Sequence, residues 1–219
     1  MYTASTSTVA SLNDDDITAL LTSLRTLDYP DSVTKLTQLS AQYTHDARLS
    51  LLLAGEHAQA GQMDLAEAAF ITALQRDPDY AIARFQLGLL QFTSARPSVA
   101  SVTWAPLDKL PLQHPLRLFK NGFEFLARDM MQEAAQAIRQ GMQKNISNAP
   151  LNLDMKKVLI TIDKLKIGSI TTVDNIATPP PAQTQLAPSD TSIATTPTET
   201  GASNETTEHF LVSAYRNLH

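Results

Sequence analysis

Apolar residues recur at helical spacing along most of the chain. Small residues also recur between residues 47 and 148, at a fixed interval of 34 positions and in two sets: Ala54, Gly88 and Gly122, and Ala66, Ala100 and Ala134. Small side chains let two helices cross closely, and one surplus methylene in a packed contact costs about 1–3 kcal/mol. The pattern therefore predicts paired helices built on a repeat of 34 residues.

The first copy, residues 47–80, carries further signals of this kind. Phe70 and Ala73 lie in its second helix, and Pro78 closes the unit. The pattern resembles the tetratricopeptide repeat, a helix-turn-helix unit of about 34 residues whose copies stack into a superhelix. His57 falls where that family has an aromatic residue in its first helix. The resemblance implies an all-α fold, a short solenoid of antiparallel helix hairpins, in three copies: 47–80, 81–114 and 115–148.

The middle copy departs from this pattern in its second helix, where Trp104 takes the place of Phe70. Pro97 suits the first turn of a helix, since its missing N–H would be unpaired there anyway. Pro106 is expected to kink or end the helix, because proline cannot donate to the helical ladder. The second hairpin should therefore be the least regular.

Helical segments also flank the repeats. Asn13 followed by three aspartates predicts a helix start, because an Asn cap and carboxylates satisfy free N–H groups and the positive helix end. Residues 13–46 then read as an atypical hairpin that caps the repeats, with a turn at Tyr29-Pro30-Asp31. Residues 149–168 predict a second capping helix, which Gly168 should end.

Both termini differ in composition from this region. Residues 1–12 and residues 169–207, rich in Thr, Pro and Ser, carry too little apolar surface to fold alone and are expected to be disordered. Residues 208–219 again place apolar side chains on one helical stripe: Phe210, Leu211, Tyr215 and Leu218. This tail motif reads as a partner-recognition helix, as a plug for the protein's own groove, or as a tail with a few incidental apolar residues.

Composition narrows the function classes. The chain has no cysteine, which excludes disulfides and fits a reducing compartment such as the cytoplasm. No signal-peptide pattern opens it, and no apolar run is long enough to span a membrane. The predicted folded part carries a net charge of about −1, so we expect no nucleic-acid partner, which would need clustered positive charge.

The sequence also lacks the motifs of catalysis. The five histidines are scattered, without the spacing that puts two metal ligands on one helix face, and no glycine-rich phosphate loop or nucleophile elbow is present. We therefore expect no enzyme activity, no cofactor and no metal site. His57 should be a packed core histidine.

The tetratricopeptide resemblance implies a binding groove lined by the first helix of each hairpin. The corresponding positions are mostly apolar: Leu51, Ile82, Phe85, Leu89, Phe92, Leu116, Phe119, Phe123 and Leu126. Exposed together, they would rival the largest apolar patch that soluble monomers carry, about 300–600 Å², so something should cover them. For Phe92 and Phe123, packing between hairpins is the alternative.

These expectations favour a noncatalytic adaptor or chaperone whose groove binds an apolar peptide or helix of another protein. The architecture is similar to that of the small tetratricopeptide chaperones of bacterial type III secretion. Two alternatives stay open: the carboxy-terminal tail closes the groove from within the same chain, or the protein is a structural subunit that forms a homodimer through its repeats.

Overall fold

The computed structural model describes residues 11–173, with side chains up to Leu165. This part of the chain is entirely helical, which confirms the all-α prediction for it. Its α-helices are α1 (Asp14–Leu24), α2 (Tyr29–Gln42), α3 (Ala47–Gln59), α4 (Met63–Arg76), α5 (Ala81–Thr93), α6 (Pro97–Trp104), α7 (Pro115–Leu126), α8 (Met131–Lys144) and α9 (Ala149–Val173), and a 3₁₀ helix (Ala105–Lys109) follows α6.

The central six helices form three closely packed pairs, α3 with α4, α5 with α6, and α7 with α8. The first helices of the pairs begin at residues 47, 81 and 115, and the second helices at residues 63, 97 and 131. Each start thus recurs after 34 residues. Short turns join the two helices of each pair, so the helices run antiparallel.

The turns within the pairs also recur at this interval. Gly61, Ala95 and Asp129 each have a positive φ, of 73°, 58° and 57°. The amide after each of them donates to a carbonyl five residues back, in bonds of 2.9–3.0 Å: Gln62 to His57, Arg96 to Gln91, and Met130 to Phe125. This is the left-handed cap that commonly ends a helix, and it gives all three pairs the same turn.

The small residues predicted from the sequence lie where the paired helices meet. A Cβ atom added at Gly88 would lie 2.1 Å from Nε1 of Trp104, and one added at Gly122 would lie 2.6 Å from Cγ1 of Ile138. Real side chains do not approach so closely. Glycine is therefore required at both positions by the large residue opposite.

Two groups of buried apolar residues form the core. The larger spans α3 to α9 and includes Leu151, Met155, Val158 and Ile162 of α9, so that α9 covers the last pair. The smaller joins α1 and α2 to α3.

Polar contacts attach the first two helices to the repeats. Arg48 of α3 pairs with Asp46 at 2.8 Å and with Asp14 of α1 at 2.9 Å, and its guanidinium also donates to the carbonyl of Leu12. Burial alone would raise the pKa of Asp46, but hydrogen bonds and charge from Arg48 outweigh burial and hold that pKa below its ordinary value. The carboxylate is therefore charged and paired at neutral pH.

His57 makes a polar contact between α2 and α3. It is 8% exposed, and its Nδ1 lies 2.9 Å from the hydroxyl oxygen of Tyr29. Burial lowers the pKa of His57, because the charged imidazolium loses its water there. The prediction of a packed core histidine is confirmed.

Several local predictions can be compared with the helix ends. Asn13 caps α1 as expected, accepting from the amide of Asp16. Pro97 opens α6, and α6 ends at Trp104, two residues before Pro106, which confirms the predicted effects of both prolines.

Two other boundaries differ from the sequence prediction. Tyr29-Pro30-Asp31 is the first turn of α2, capped by Asp28, rather than a loop, because proline fits the first helical turn. The backbone of α9 continues through Gly168 to Val173, since one glycine costs a helix only about 1 kcal/mol. The predictions for residues 1–10 and 174–219, including the tail motif, lie outside the described residues.

Gly88→Ala should destabilise the fold. The new Cβ would overlap the Trp104 ring, and the resulting overpacking should cost about 2 kcal/mol, more than the roughly 1 kcal/mol that alanine gains in helix propensity. Circular dichroism in urea measures the loss. The first pair has Ala54 and Phe70 at the corresponding positions, so adding Trp104→Phe should restore part of the stability. Equal stability of Gly88→Ala and wild type would contradict this packing.

Ala95→Gly should stabilise the protein by about 0.5–1 kcal/mol, because a left-handed conformation strains alanine but not glycine. Ser94→Gly is the matched control, since Ser94 has a φ of −83° and glycine there should only lower stability. Thermal unfolding of the two variants should shift in opposite directions. A shift in the same direction for both would contradict the turn geometry.

Stability should fall in mild acid through His57. Its pKa in the folded state lies below the unfolded value, so this contribution is complete above about pH 6.5 and is lost as the pH falls through the folded pKa. In His57→Phe, the loss of unfolding free energy between about pH 7.5 and about pH 5.5 should be smaller than in wild type. The remaining loss comes partly from His114, whose pKa burial also lowers. An unchanged pH dependence in urea titrations would exclude this role.

Candidate functional site: an aromatic pocket beside α6

The structure buries most of the residues that were expected to line an open groove. Six of the nine are core residues with 8% exposure or less, and these are Leu51, Phe85, Leu89, Leu116, Phe119 and Phe123. The other three, Ile82, Phe92 and Leu126, are half-buried and pack against the same core. A continuous apolar groove along these positions is therefore not what the structure shows.

The reason lies in the space that neighbouring residues leave for the rings. Gly141 of α8 leaves room for the ring of Phe119, which would lie 2.5 Å from a Cβ at that position. Phe85 stacks on Trp104 with ring centres 6.0 Å apart and also lies 6.0 Å from Phe119. These rings point into their own hairpins. The sequence analysis had placed them instead on the outer face of the first helix.

Within the described residues, an apolar opening lies between α6 and the carboxy-terminal ends of α5 and α7. It is a pocket of about 380 Å³. This is near the lower end of the range of small-ligand sites, about 300–1,000 Å³. The pocket is lined by Phe92, Pro97, Ser98, Ser101, Val102, Trp104, Phe123, Glu124, Ala127 and Arg128.

Three aromatic rings meet in the lining of this pocket. The centres of Phe92 and Trp104 are 6.0 Å apart, those of Phe92 and Phe123 are 5.3 Å apart, and those of Trp104 and Phe123 are 5.7 Å apart. The Trp104 indole is fixed because its Nε1 donates to the carbonyl of Phe85 at 2.9 Å. The rings are thus held in place by the core behind them.

The opposite wall leaves a hollow beside the rings, of which Phe92 is half-buried, whereas Trp104 and Phe123 are only 1% and 2% exposed. Ser98, Ser101 and Ala127 supply small side chains to this wall. Val102, on the same helix as the serines, is 76% exposed, although valine is usually buried. The site thus offers the half-buried ring of Phe92 inside the opening and an exposed aliphatic side chain at its edge.

Two charged residues line the same pocket. Glu124 is already neutralised by Lys120, whose ammonium lies 3.3 Å from its carboxylate and 2.7 Å from that of Asp108. Arg128 is exposed and makes no ion pair within the part of the chain that the structure describes. The net electrostatic character of the opening is therefore set by Arg128, which favours a ligand with an acidic group beside its apolar part.

Sequence reasoning found part of this site. Phe92 and Phe123 were among the predicted groove residues, and the structure brings them together with Trp104. It missed the contribution of α6, whose serines and Val102 carry no motif. The available signal was the run of small residues in the short helix that opens with Pro97, since small side chains leave room for a hollow beside a large ring.

The described residues offer neither a metal site nor a membrane span. Within residues 11–165, no three His, Cys, Asp or Glu side chains are grouped in a way that would hold a metal ion. None of the helices between residues 11 and 173 combines the length and the apolar character needed to cross a membrane.

Comparison of the chain with family models, with curated proteins and with solved structures finds no significant match. The assignment of a function therefore depends on the chain's own residues.

Proposed function

We propose that this protein is a noncatalytic interaction module of the tetratricopeptide type, and that the aromatic pocket beside α6 binds an apolar side chain of a partner protein. The observation that carries the proposal is an apolar pocket whose floor is formed by Phe92, Trp104 and Phe123 and whose edge carries Val102, which is 76% exposed. Exposed apolar surface often marks a contact site, and contact surfaces between proteins are rich in aromatic residues.

The family assignment within this proposal is supported by the recurrence of local structure. Helix starts, helix-ending turns and close helix crossings all repeat after 34 residues. A repeat of about this length with two antiparallel helices is the signature of tetratricopeptide units. Modules of this kind stack their units into a binding scaffold, which is the role proposed here.

The size of the pocket sets the kind of ligand. It suits one large side chain rather than a whole helix, and burying one apolar side chain contributes about 1.5–3 kcal/mol. Association itself costs several kcal/mol, so further contacts are needed for a stable complex. Val102 and Arg128 at the opening supply an aliphatic and a charged contact. The expected ligand is a short peptide with an aromatic or large aliphatic anchor and a nearby carboxylate.

A peptide library displayed on phage, selected against the full chain, tests this proposal. Enriched peptides should share such an anchor beside an acidic residue. Val102→Asp should weaken synthetic versions of these peptides by about tenfold or more, because the carboxylate desolvates poorly against the rings and repels the acidic group. Ala127→Phe, which fills the opening, should have the same effect. Fluorescence anisotropy measures both.

Val99→Asp is the matched control, since Val99 lies on the same helix, is 44% exposed and is absent from the pocket lining. It should leave the affinity within about twofold of wild type. Equal weakening by Val99→Asp and Val102→Asp, or no enrichment of any peptide, would contradict the proposal. A concentration-dependent increase in mass that Val102→Asp abolishes would instead indicate that the pocket joins two copies of this chain.

A further inference from the structure

We infer that the pocket is occupied by the carboxy-terminal segment of the same chain, residues 208–219, until a partner displaces it. The inference rests on the proposed function, because it names the resting occupant of the same pocket. It depends on three properties of the chain: the chemistry of the segment, the distribution of charge, and the length of the connection.

The chemistry of the segment matches the ligand that the pocket favours. Phe210 follows Glu208 by two positions, so an aromatic anchor and a carboxylate lie next to each other. With Phe210 inside the opening, Glu208 would lie near the guanidinium of Arg128. Tyr215 and Leu218 supply further apolar side chains for the exposed Val102.

Charge complementarity with the end of the chain lies on the α7 wall of the pocket. Residues 115–165, which supply that wall, contain eight basic and five acidic residues, a net charge of +3, whereas residues 11–114, which supply the α5 and α6 wall, carry −5. Residues 174–219 contain five acidic residues and one basic residue, a net charge of −4. Opposite charge raises the rate of encounter and the affinity of docking.

The linker between α9 and residues 208–219 is long enough for this segment to reach the pocket. About 35 residues separate the end of α9 from Glu208, and their Thr-, Pro- and Ser-rich composition predicts a flexible linker. Such a linker has a root-mean-square span of roughly 30–35 Å. A folded unit of about 155 residues has a radius of gyration of only about 15 Å, so the segment reaches either side of it.

Connection within one chain also lowers the affinity that docking requires. A linker of this kind gives its end an effective concentration of about 1 mM at the folded part. A segment whose free peptide binds with a Kd of about 100 µM would therefore occupy the pocket about nine-tenths of the time. A partner with a Kd in the micromolar range or below can still displace it.

Trp104 offers a direct reporter, because it lines the pocket and is the chain's one tryptophan. We expect its indole ¹⁵N–¹H signal to lie at a different position in a variant that lacks residues 208–219 than in the full chain. Phe210→Ala with Tyr215→Ala should behave like the deletion. Ser213→Ala with Asn217→Ala, which changes polar positions of the same segment, should behave like wild type.

Binding of two probes completes the test. A labelled peptide of residues 204–219 should bind the deletion variant with a Kd below about 1 mM, and Val102→Asp should weaken it by about tenfold. The phage-selected peptides should bind the deletion variant about tenfold more tightly than the full chain. Circular dichroism confirms that each variant keeps its helices, and Val99→Asp again serves as the control.

The failures of the two proposals are distinguishable. If selected peptides depend on Val102 but bind the full chain and the deletion variant equally, docking of the tail is overturned while the proposed function stands. A tail peptide that binds more weakly than about 1 mM, or independently of Val102, also overturns it. A dimer that forms with rising concentration and disappears on deletion would show docking between chains and overturn docking within one. If no probe depends on Val102, both proposals fall.

Discussion

The close approach of two helices within each hairpin is the constraint on which the described structure depends. It is possible because Gly88 and Gly122 lie opposite larger side chains, most tightly at Gly88, where the Trp104 indole lies against the backbone of α5. A residue with positive φ follows each first helix at the same position of the repeat. Spacing in sequence thus becomes spacing in the fold, and α9 packs on the same core as the three pairs.

The pocket follows from a local departure from this regularity. Trp104 is larger than Phe70 of the preceding pair and fills the contact that glycine leaves, while Pro106 stops α6 directly after it. The shortened helix supplies two serines to the wall facing α7 instead of large apolar residues, which leaves a hollow beside the buried indole and the half-buried ring of Phe92. The same residue therefore stabilises the hairpin and lines the opening. Substitutions in the lining must be made at the exposed residues if the fold is to be kept.

Features that depend on local spacing were predicted correctly from the sequence. The face of the helix on which a large side chain lies was not. Helix pairing, the small contact positions, the effect of Pro97 and the burial of His57 all follow from the residues themselves. The direction in which Phe85 and Phe119 point does not follow from their own positions. It depends on contact with Trp104 and on the space left by Gly141, which lie in the partner helices of the two hairpins. The pocket was partly predicted through Phe92 and Phe123. Its other wall depends on small side chains, which carry little signal in a sequence.

The indole N–H resonance of Trp104 gives the most direct measurement of whether the pocket binds an apolar side chain. A single such signal is expected in a ¹⁵N–¹H spectrum, since the chain has one tryptophan, and the rings of Phe92 and Phe123 lie within reach of it. The account predicts that this signal moves progressively as a selected peptide is added to the wild-type protein and stays in place with Val102→Asp. A signal that does not move while the peptide saturates the wild-type protein would contradict it.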